Sequence, residues 1–193
     1  MKKKKLDTKK VMVYFIAFIM ISSIFGIIFS GYRQQTVSME YNGYTFLRQD
    51  NKWVMNLNNN LVSFDYYPEE VESLNISPEI VSMLTNTFEI DATSEPNSTY
   101  KDTIAVVEYE MINFLSDNVN LYLRTGFTEE NDYGLPIITC ADSTPRVPVI
   151  YFKKSNITKV SLDRYCVVAE ARDDFGFLRI KDRLLYTILG IIG

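Results

Sequence analysis

Residues 11–32, VMVYFIAFIMISSIFGIIFSGY, form a run with no charged residue and no alternation. A helix of these 22 residues, at about 1.5 Å per residue, is roughly 33 Å long and matches a hydrocarbon core of about 30 Å. Ser22, Ser23, Gly26 and Ser30 are tolerable in such a helix, and Tyr14 and Tyr32 fall near its two ends, where amphipathic rings favour the interface. The run is longer than the core of a cleaved signal peptide, about 7–15 residues, and has no clear small-x-small site behind it. The expectation is an uncleaved transmembrane helix.

Beyond it, the period drops to two. Tyr44 and Phe46, then Trp53, Met55 and Leu57, then Val62, Phe64 and Tyr66 alternate with polar neighbours. Polar turns at 49–52 and 58–60 separate them. This pattern predicts a three-stranded antiparallel β-meander within residues 33–72 that has one apolar face and needs a cover.

The remaining 73–193 mix both periods. Ser77-Pro78-Glu79 opens a short helix through Leu84, with Ser as cap and Pro at the first helical position. Thr87 to Ala92 reads as a strand with Phe88, Ile90 and Ala92 on one face. Ile104, Val107, Met111, Phe114 and Leu115 draw a helical stripe over 100–117. A strand over 118–126 follows, with Val119, Leu121 and Leu123 alternating. Strand, helix and strand across 87–126 make a βαβ-like unit. Further strands are expected at 148–152, at 157–162, pairing with it, and at 165–171. A final helix over 177–191 is too short in its apolar part to span a bilayer and reads as a core helix. The fold class is α+β: an N-terminal transmembrane helix, the meander, then a mixed α/β layer with the βαβ-like unit and a C-terminal helix. Residues 33–193 read as one compact unit.

Charge adds direction. Residues 1–10 hold six Lys and one Asp, net +5, while the remaining 14 basic and 23 acidic residues make −9. Lysines beside a span stay on the cytoplasmic side and meet anionic headgroups. The expected localisation is therefore the cell membrane, single-pass, with residues 1–10 as a cytoplasmic tail and the bulk of the chain outside. The lipid bilayer is the first partner, another envelope protein the second. Nucleic acid is not a partner, since an acidic domain repels phosphate backbones.

That topology puts Cys140 and Cys166 where disulfides persist. A bridge between them closes a loop of about 25 residues and contributes roughly 3–4 kcal/mol in the chain-entropy model. Zinc is not expected: the chain has no His, and two isolated Cys lack paired ligand spacing. Asn-x-Ser/Thr triplets occur at Asn75, Asn97 and Asn156. Pro78 follows the first, which leaves Asn97 and Asn156 as glycosylation candidates.

Catalytic signatures are absent. Without His there is no Ser-His-Asp or Cys-His arrangement, and no P-loop, GxGxxG or Gly-x-Ser-x-Gly is found. No catalytic, cofactor-binding or metal-ligating residue is assigned, and no cofactor is called. The acids with any candidacy are Asp142, Asp163, Asp173, Asp174 and Asp182. Asp142 reads as a cap, Asp173-Asp174 as a turn pair, and Lys181-Asp182-Arg183 as a solvated helix face.

Several stretches resemble a group of uncharacterised archaeal single-pass membrane-anchored proteins. They are Tyr41-Asn42-Gly43-Tyr44-Thr45-Phe46 with Trp53, Pro68-Glu69-Glu70-Val71-Glu72, Cys140, Val147-Pro148-Val149-Ile150-Tyr151-Phe152, Cys166, and Asp182-Arg183-Leu184-Leu185-Tyr186. The resemblance covers most of the chain, implies no known activity and transfers no catalytic residue. The expected function is a membrane-anchored extracytoplasmic domain that binds protein or serves a structural role in the envelope. The alternatives are a carboxylate-based envelope hydrolase and a pilin-like subunit, the latter opposed by Lys10-Val11 and the early meander.

Overall fold

The computed structural model describes residues 8–31 and 37–192, with side chains for 12–23 and 37–192. The chain divides into two compact units, Met1–Val37 and Ser38–Gly193. In the first, one helix, α1, covers Thr8–Gly31. Its large apolar side chains from Met12 to Ile21 are 48–75% exposed. Most of the basic tail expected over 1–10, and Tyr32 at the end of the expected span, lie outside the described residues. Among the described residues no helix is long and apolar enough to cross a membrane.

The second unit is α+β. Four strands, β1 (Ser38–Tyr41), β2 (Tyr44–Gln49), β3 (Lys52–Leu57) and β4 (Asn60–Phe64), form an antiparallel sheet in chain order. The expected meander is thus one strand longer than predicted. Strand β1 escaped the periodicity because only Tyr41 at its end is even half-buried. All three connections are two-residue turns, Asn42-Gly43, Asp50-Asn51 and Asn58-Asn59, with positive φ at both positions. That is the φ signature of type I′ turns, whose twist matches paired strands, and Asn and Asp tolerate it best after Gly. Phe46, Trp53, Met55, Val62 and Phe64 line the buried face.

Two short helices follow, α2 (Pro68–Val71) and α3 (Pro78–Thr85). As expected, Ser77 caps α3, its hydroxyl accepting from the Ile80 amide. The larger sheet contains β5 (Glu89–Ser94), β6 (Tyr122–Phe127), β7 (Val149–Lys154), β8 (Lys159–Asp163) and β9 (Cys166–Ala171), in the order β6-β5-β7-β9-β8. All pairs are parallel except β8 with β9. Helix α4 (Lys101–Val119) links β5 to its parallel neighbour β6, as the βαβ reading requires, and α5 (Asp174–Ile188) follows β9.

Three expectations need correction here. Strand β8 pairs with β9, not β7, because β7 already has β5 on one side and β9 on the other. The strand expected over 118–126 starts only at Tyr122. Val119 still belongs to α4, which ends on Asn120 in the left-handed region (φ 53°), its amide donating to the Leu115 carbonyl. Phe88 does not share a buried face with Ile90 and Ala92: it precedes β5 and is 83% exposed. Within β5, Ile90 to Ala92 and on to Ser94 are all buried, the mark of a central strand covered on both faces.

Helices α4 and α5 form the middle layer. The meander's Phe46 and Phe64, the helices' Ile104, Met111, Ile180 and Tyr186, and the large sheet's Ile90, Phe152 and Val167 belong to one core cluster. Phe64 stacks on Tyr186 with ring centroids 4.3 Å apart, while Phe177 of the same helix meets Phe152 at 6.4 Å. Helix α5 therefore touches both sheets, and the meander's bare face finds its cover there.

Among the described residues the opposite face of the large sheet carries no α-helix. Residues 128–147 cross it instead, and Ile138 packs there with Val149 and Cys166. The expected bridge is present: Cys140 and Cys166 are joined, their Cα atoms 5.2 Å apart. Thr93 donates its hydroxyl to the Ile138 carbonyl at 2.7 Å. Gly126 lets the segment approach, since a Cβ there would lie 2.5 Å from the Pro136 carbonyl oxygen.

Candidate functional site

Two constellations stand out beyond the fold itself. The first is ionic and buried at its centre. Lys181 and Asp182 on α5 are 1% and 0% exposed. Lys181 Nζ contacts Asp65 at 2.5 Å, Asp182 at 3.3 Å, and Glu110 of α4. Lys52 of β3 reaches the same two acceptors, Asp65 at 2.8 Å and Glu110 at 3.1 Å. Asp182 Oδ2 accepts from the backbone amides of Asp65 at 2.7 Å and Tyr66 at 2.8 Å. About one helical turn further along α5, Tyr186 donates to the Tyr66 carbonyl at 2.7 Å. The chain leaving β4 is therefore clamped at three backbone groups by one helix.

The electrostatics decide what this cluster can do. Burial opposes the charge on Lys181, but the carboxylates of Asp182, Asp65 and Glu110 outweigh it and hold the ammonium above its ordinary pKa. A lysine so held is no nucleophile, because amine chemistry needs a depressed pKa. Burial pushes the Asp182 carboxyl up to about 7, with Lys181 and the Tyr66 amide pulling the other way. Burial also opposes the charge on Asp65, yet Lys181 and Lys52 bring it below the usual carboxylate range. Internally paired around a buried lysine, the cluster holds the meander on α5.

The expectation that Lys181-Asp182-Arg183 is a solvated face is overturned. Arg183 is buried as well, its Nε donating to the Leu74 carbonyl at 3.0 Å. Every residue from Ile180 to Thr187 is buried, because this stretch of helix lies between two sheets, while Phe175 and Arg179 nearer its start stay exposed. The available signal was indirect: two one-faced sheets and only two long helices to lie between them.

The second constellation is a surface. Four parallel strands begin along one edge of the large sheet, and aromatic residues flank three of those starts. Tyr122 opens β6, Phe88 precedes β5 and Tyr165 precedes β9; they are 60%, 83% and 41% exposed. With strands about 4.8 Å apart, β6 to β9 spans about 14 Å. Local hydrogen bonds order this edge. The Tyr122 amide donates to the Phe88 carbonyl at 3.0 Å, the Thr87 hydroxyl to the Arg146 carbonyl at 2.5 Å, and the Val149 amide to the Tyr165 carbonyl at 3.2 Å. Beside Tyr165, an open cleft of about 670 Å³ runs between α3 and the β8–β9 turn, with Met83, Pro145, Leu162 and Arg164 among its lining.

The remaining sequence candidates go to separate places. Asp142 closes the 3-10 turn Cys140–Asp142, accepting from the Thr139 amide and hydroxyl, as expected of a cap. Asp173 caps α5, accepting from the Gly176 amide at 2.8 Å, and is more than a turn residue. Asp174 accepts from the Thr103 hydroxyl. Asp163 is exposed beside Arg164. Asn97 and Asn156 are both exposed. The acids that do converge, Asp65 and Glu110 with Asp182, include two that sequence reasoning missed, and they close around Lys181.

No protein-family model, curated protein or solved structure matches the chain.

Proposed function

We propose that the chain is a single-pass membrane-anchored protein whose Ser38–Gly193 unit faces outward and binds another envelope protein. The surface we assign to that contact is the aromatic edge of Tyr122, Phe88 and Tyr165 with the adjoining cleft. The carrying observation is that aromatics at three of the four parallel strand starts are exposed, since aromatic residues are enriched at interaction surfaces. The uncharged run over 11–32, the lysines before it and the exposed apolar side chains of α1 support the anchor and its direction. The Cys140–Cys166 bridge fits an oxidising compartment. On that side Asn97 and Asn156 are available for glycosylation.

Neither alternative has comparable support. A glycoside hydrolase needs two carboxylates about 5–9.5 Å apart in a cleft. Here the converging carboxylates surround a buried lysine. A pilin-like subunit needs its apolar helix to continue into a long stalk, whereas β1 begins at Ser38.

Photo-cross-linkers placed singly at Phe88, Tyr122 and Tyr165 in intact cells test the surface, with Asn51 on a meander turn as control. Adducts of one common mass at the three edge positions and none at Asn51 are expected; equal labelling at all four would sink the assignment. External protease on a C-terminal tag tests the topology, and a shielded tag would reverse it.

A further inference from the structure

Away from both constellations, a cavity of about 260 Å³ lies at the carboxyl ends of β5 and β6. Pro96 after β5, Phe127 at the end of β6, Tyr133 and Leu135 of the covering segment, and Ala105 of α4 give it an apolar wall. Phe127 and Tyr133 form one side of it, ring centroids 5.5 Å apart. Crevices outside the carboxyl ends of parallel strands are where open α/β sheets bind ligands. Polar side chains interrupt this lining, buried Ser94 at the end of β5 and exposed Lys101 and Asp102 on α4 among them. Glu108 also lines the cavity, its Oε1 buried from solvent and without a hydrogen-bond partner among the described residues. A buried carboxyl oxygen with no partner costs free energy that a fold normally avoids, so its presence calls for a ligand group.

We propose that this cavity binds a small aromatic molecule carrying one uncharged hydrogen-bond acceptor, a carbonyl, to which the Glu108 carboxyl donates. Size fits: a cavity of about 150 Å³ accommodates benzene, so this one has room for a ring with a short substituent. Polarity fits as well. Burial pushes the Glu108 carboxyl up to about 8, so at neutral pH it is protonated and offers a donor. The other titratable groups lining the cavity, Lys101 and Asp102 on the exposed side of α4 and Tyr133 opposite, set one cation against one anion. This site is separate from the proposed protein-binding edge, and either assignment can fail alone.

Methyl-labelled full chain in lipid nanodiscs provides the test, with the Ala105 and Leu135 methyls as reporters. The probes are acetophenone, ethylbenzene as its counterpart without the acceptor, and benzylamine. Acetophenone should shift both methyls saturably and bind about 3- to 10-fold tighter than ethylbenzene, the ratio one hydrogen bond supplies. That preference should fade as pH rises through about 8 and Glu108 loses its proton. Glu108→Gln, which keeps a donor, should retain the preference and lose the pH dependence. Glu108→Leu should bind the two neutral probes equally, and its ethylbenzene titration reports an intact cavity. Absence of saturable shifts with acetophenone overturns the proposal. So does equal binding of both neutral probes to the wild type. Benzylamine binding tightest, and more tightly as pH rises, would make this a cation site and overturn it likewise.

Discussion

The two sheets of the outer unit are held in place by opposite means. The meander is built from local pairings, each strand bonded to the next through a two-residue turn, yet its apolar face is useless without α5. Its tie to that helix is non-covalent: Asp182 and Tyr186 on the chain leaving β4, and Lys181 against Asp65. The large sheet is built from distant segments and is well covered by helices on one face. Its other face has only an irregular segment, tied down by a covalent bridge. Local topology thus comes with a long-range polar clamp, and long-range topology with a disulfide. A sheet that forms easily by itself still needs a partner layer, and a segment without secondary structure needs a bond that survives its own weak packing.

Breaking the bridge should have the largest effect. Cys140→Ser with Cys166→Ser is expected to cost about 3–4 kcal/mol in denaturant unfolding, from the loop of about 25 residues it closes. Hydrogen exchange should show the loss first at Ile138 and Phe127, whose amides belong to the covering segment and its seam. Equal deprotection of the meander would mean that the two faces are not separately secured.

Breaking the clamp comes next. Asp182→Ala removes the acceptor of the Asp65 and Tyr66 amides, at a cost of about 2–3 kcal/mol at pH 5. Exchange should now accelerate in β3 and β4 and leave Ile138 protected. A loss below about 0.5 kcal/mol, the scale of an ordinary surface change, would remove Asp182 from its role.

Asp182→Asn sharpens the comparison through pH. The Asp182 carboxyl is raised to about 7 from 3.8, so its contribution is fully present below the unfolded value and is lost as pH rises through about 7. Asp65 is lowered and runs the other way, stabilising above its unfolded value and losing that contribution as pH falls. Asparagine keeps an acceptor for both amides but does not titrate. The variant should match the wild type below about pH 4 and become progressively the more stable of the two as pH rises to about 7. Parallel stability curves across that range would show that Asp182 does not titrate where burial places it.

Much of the fold was legible from residue spacing. Ile104, Val107, Met111, Phe114 and Leu115, named as one helical stripe, are the five buried residues of α4. The cap at Ser77, the βαβ order and the cysteine pair were equally readable, because each depends on near neighbours or, for the cysteines, on there being only two. Less was legible at the sites. Phe88 reads as an inward strand residue by alternation, and only the start of β5 at Glu89 turns it out to solvent. Glu108 stands between buried Val107 and exposed Tyr109 on α4, and nothing local marks its carboxyl as the one that a covering loop encloses.

Sequence by itself determined the positions of α3, α4 and α5 and of most strands, the polar turns at 49–52 and 58–60, and the long uncharged run that carries the membrane proposal. These follow from local φ preferences and from the period of apolar residues, which neighbouring positions settle. Tertiary structure alone decided that α5 lies between two sheets, which turned Lys181-Asp182-Arg183 from a presumed wet face into a buried one. It also decided that β8 pairs with β9 and that Asp65 and Glu110 meet one lysine from distant elements. Those outcomes depend on which layers stack, and burial of charge is a property of the stack, not of the helix that bears the residues.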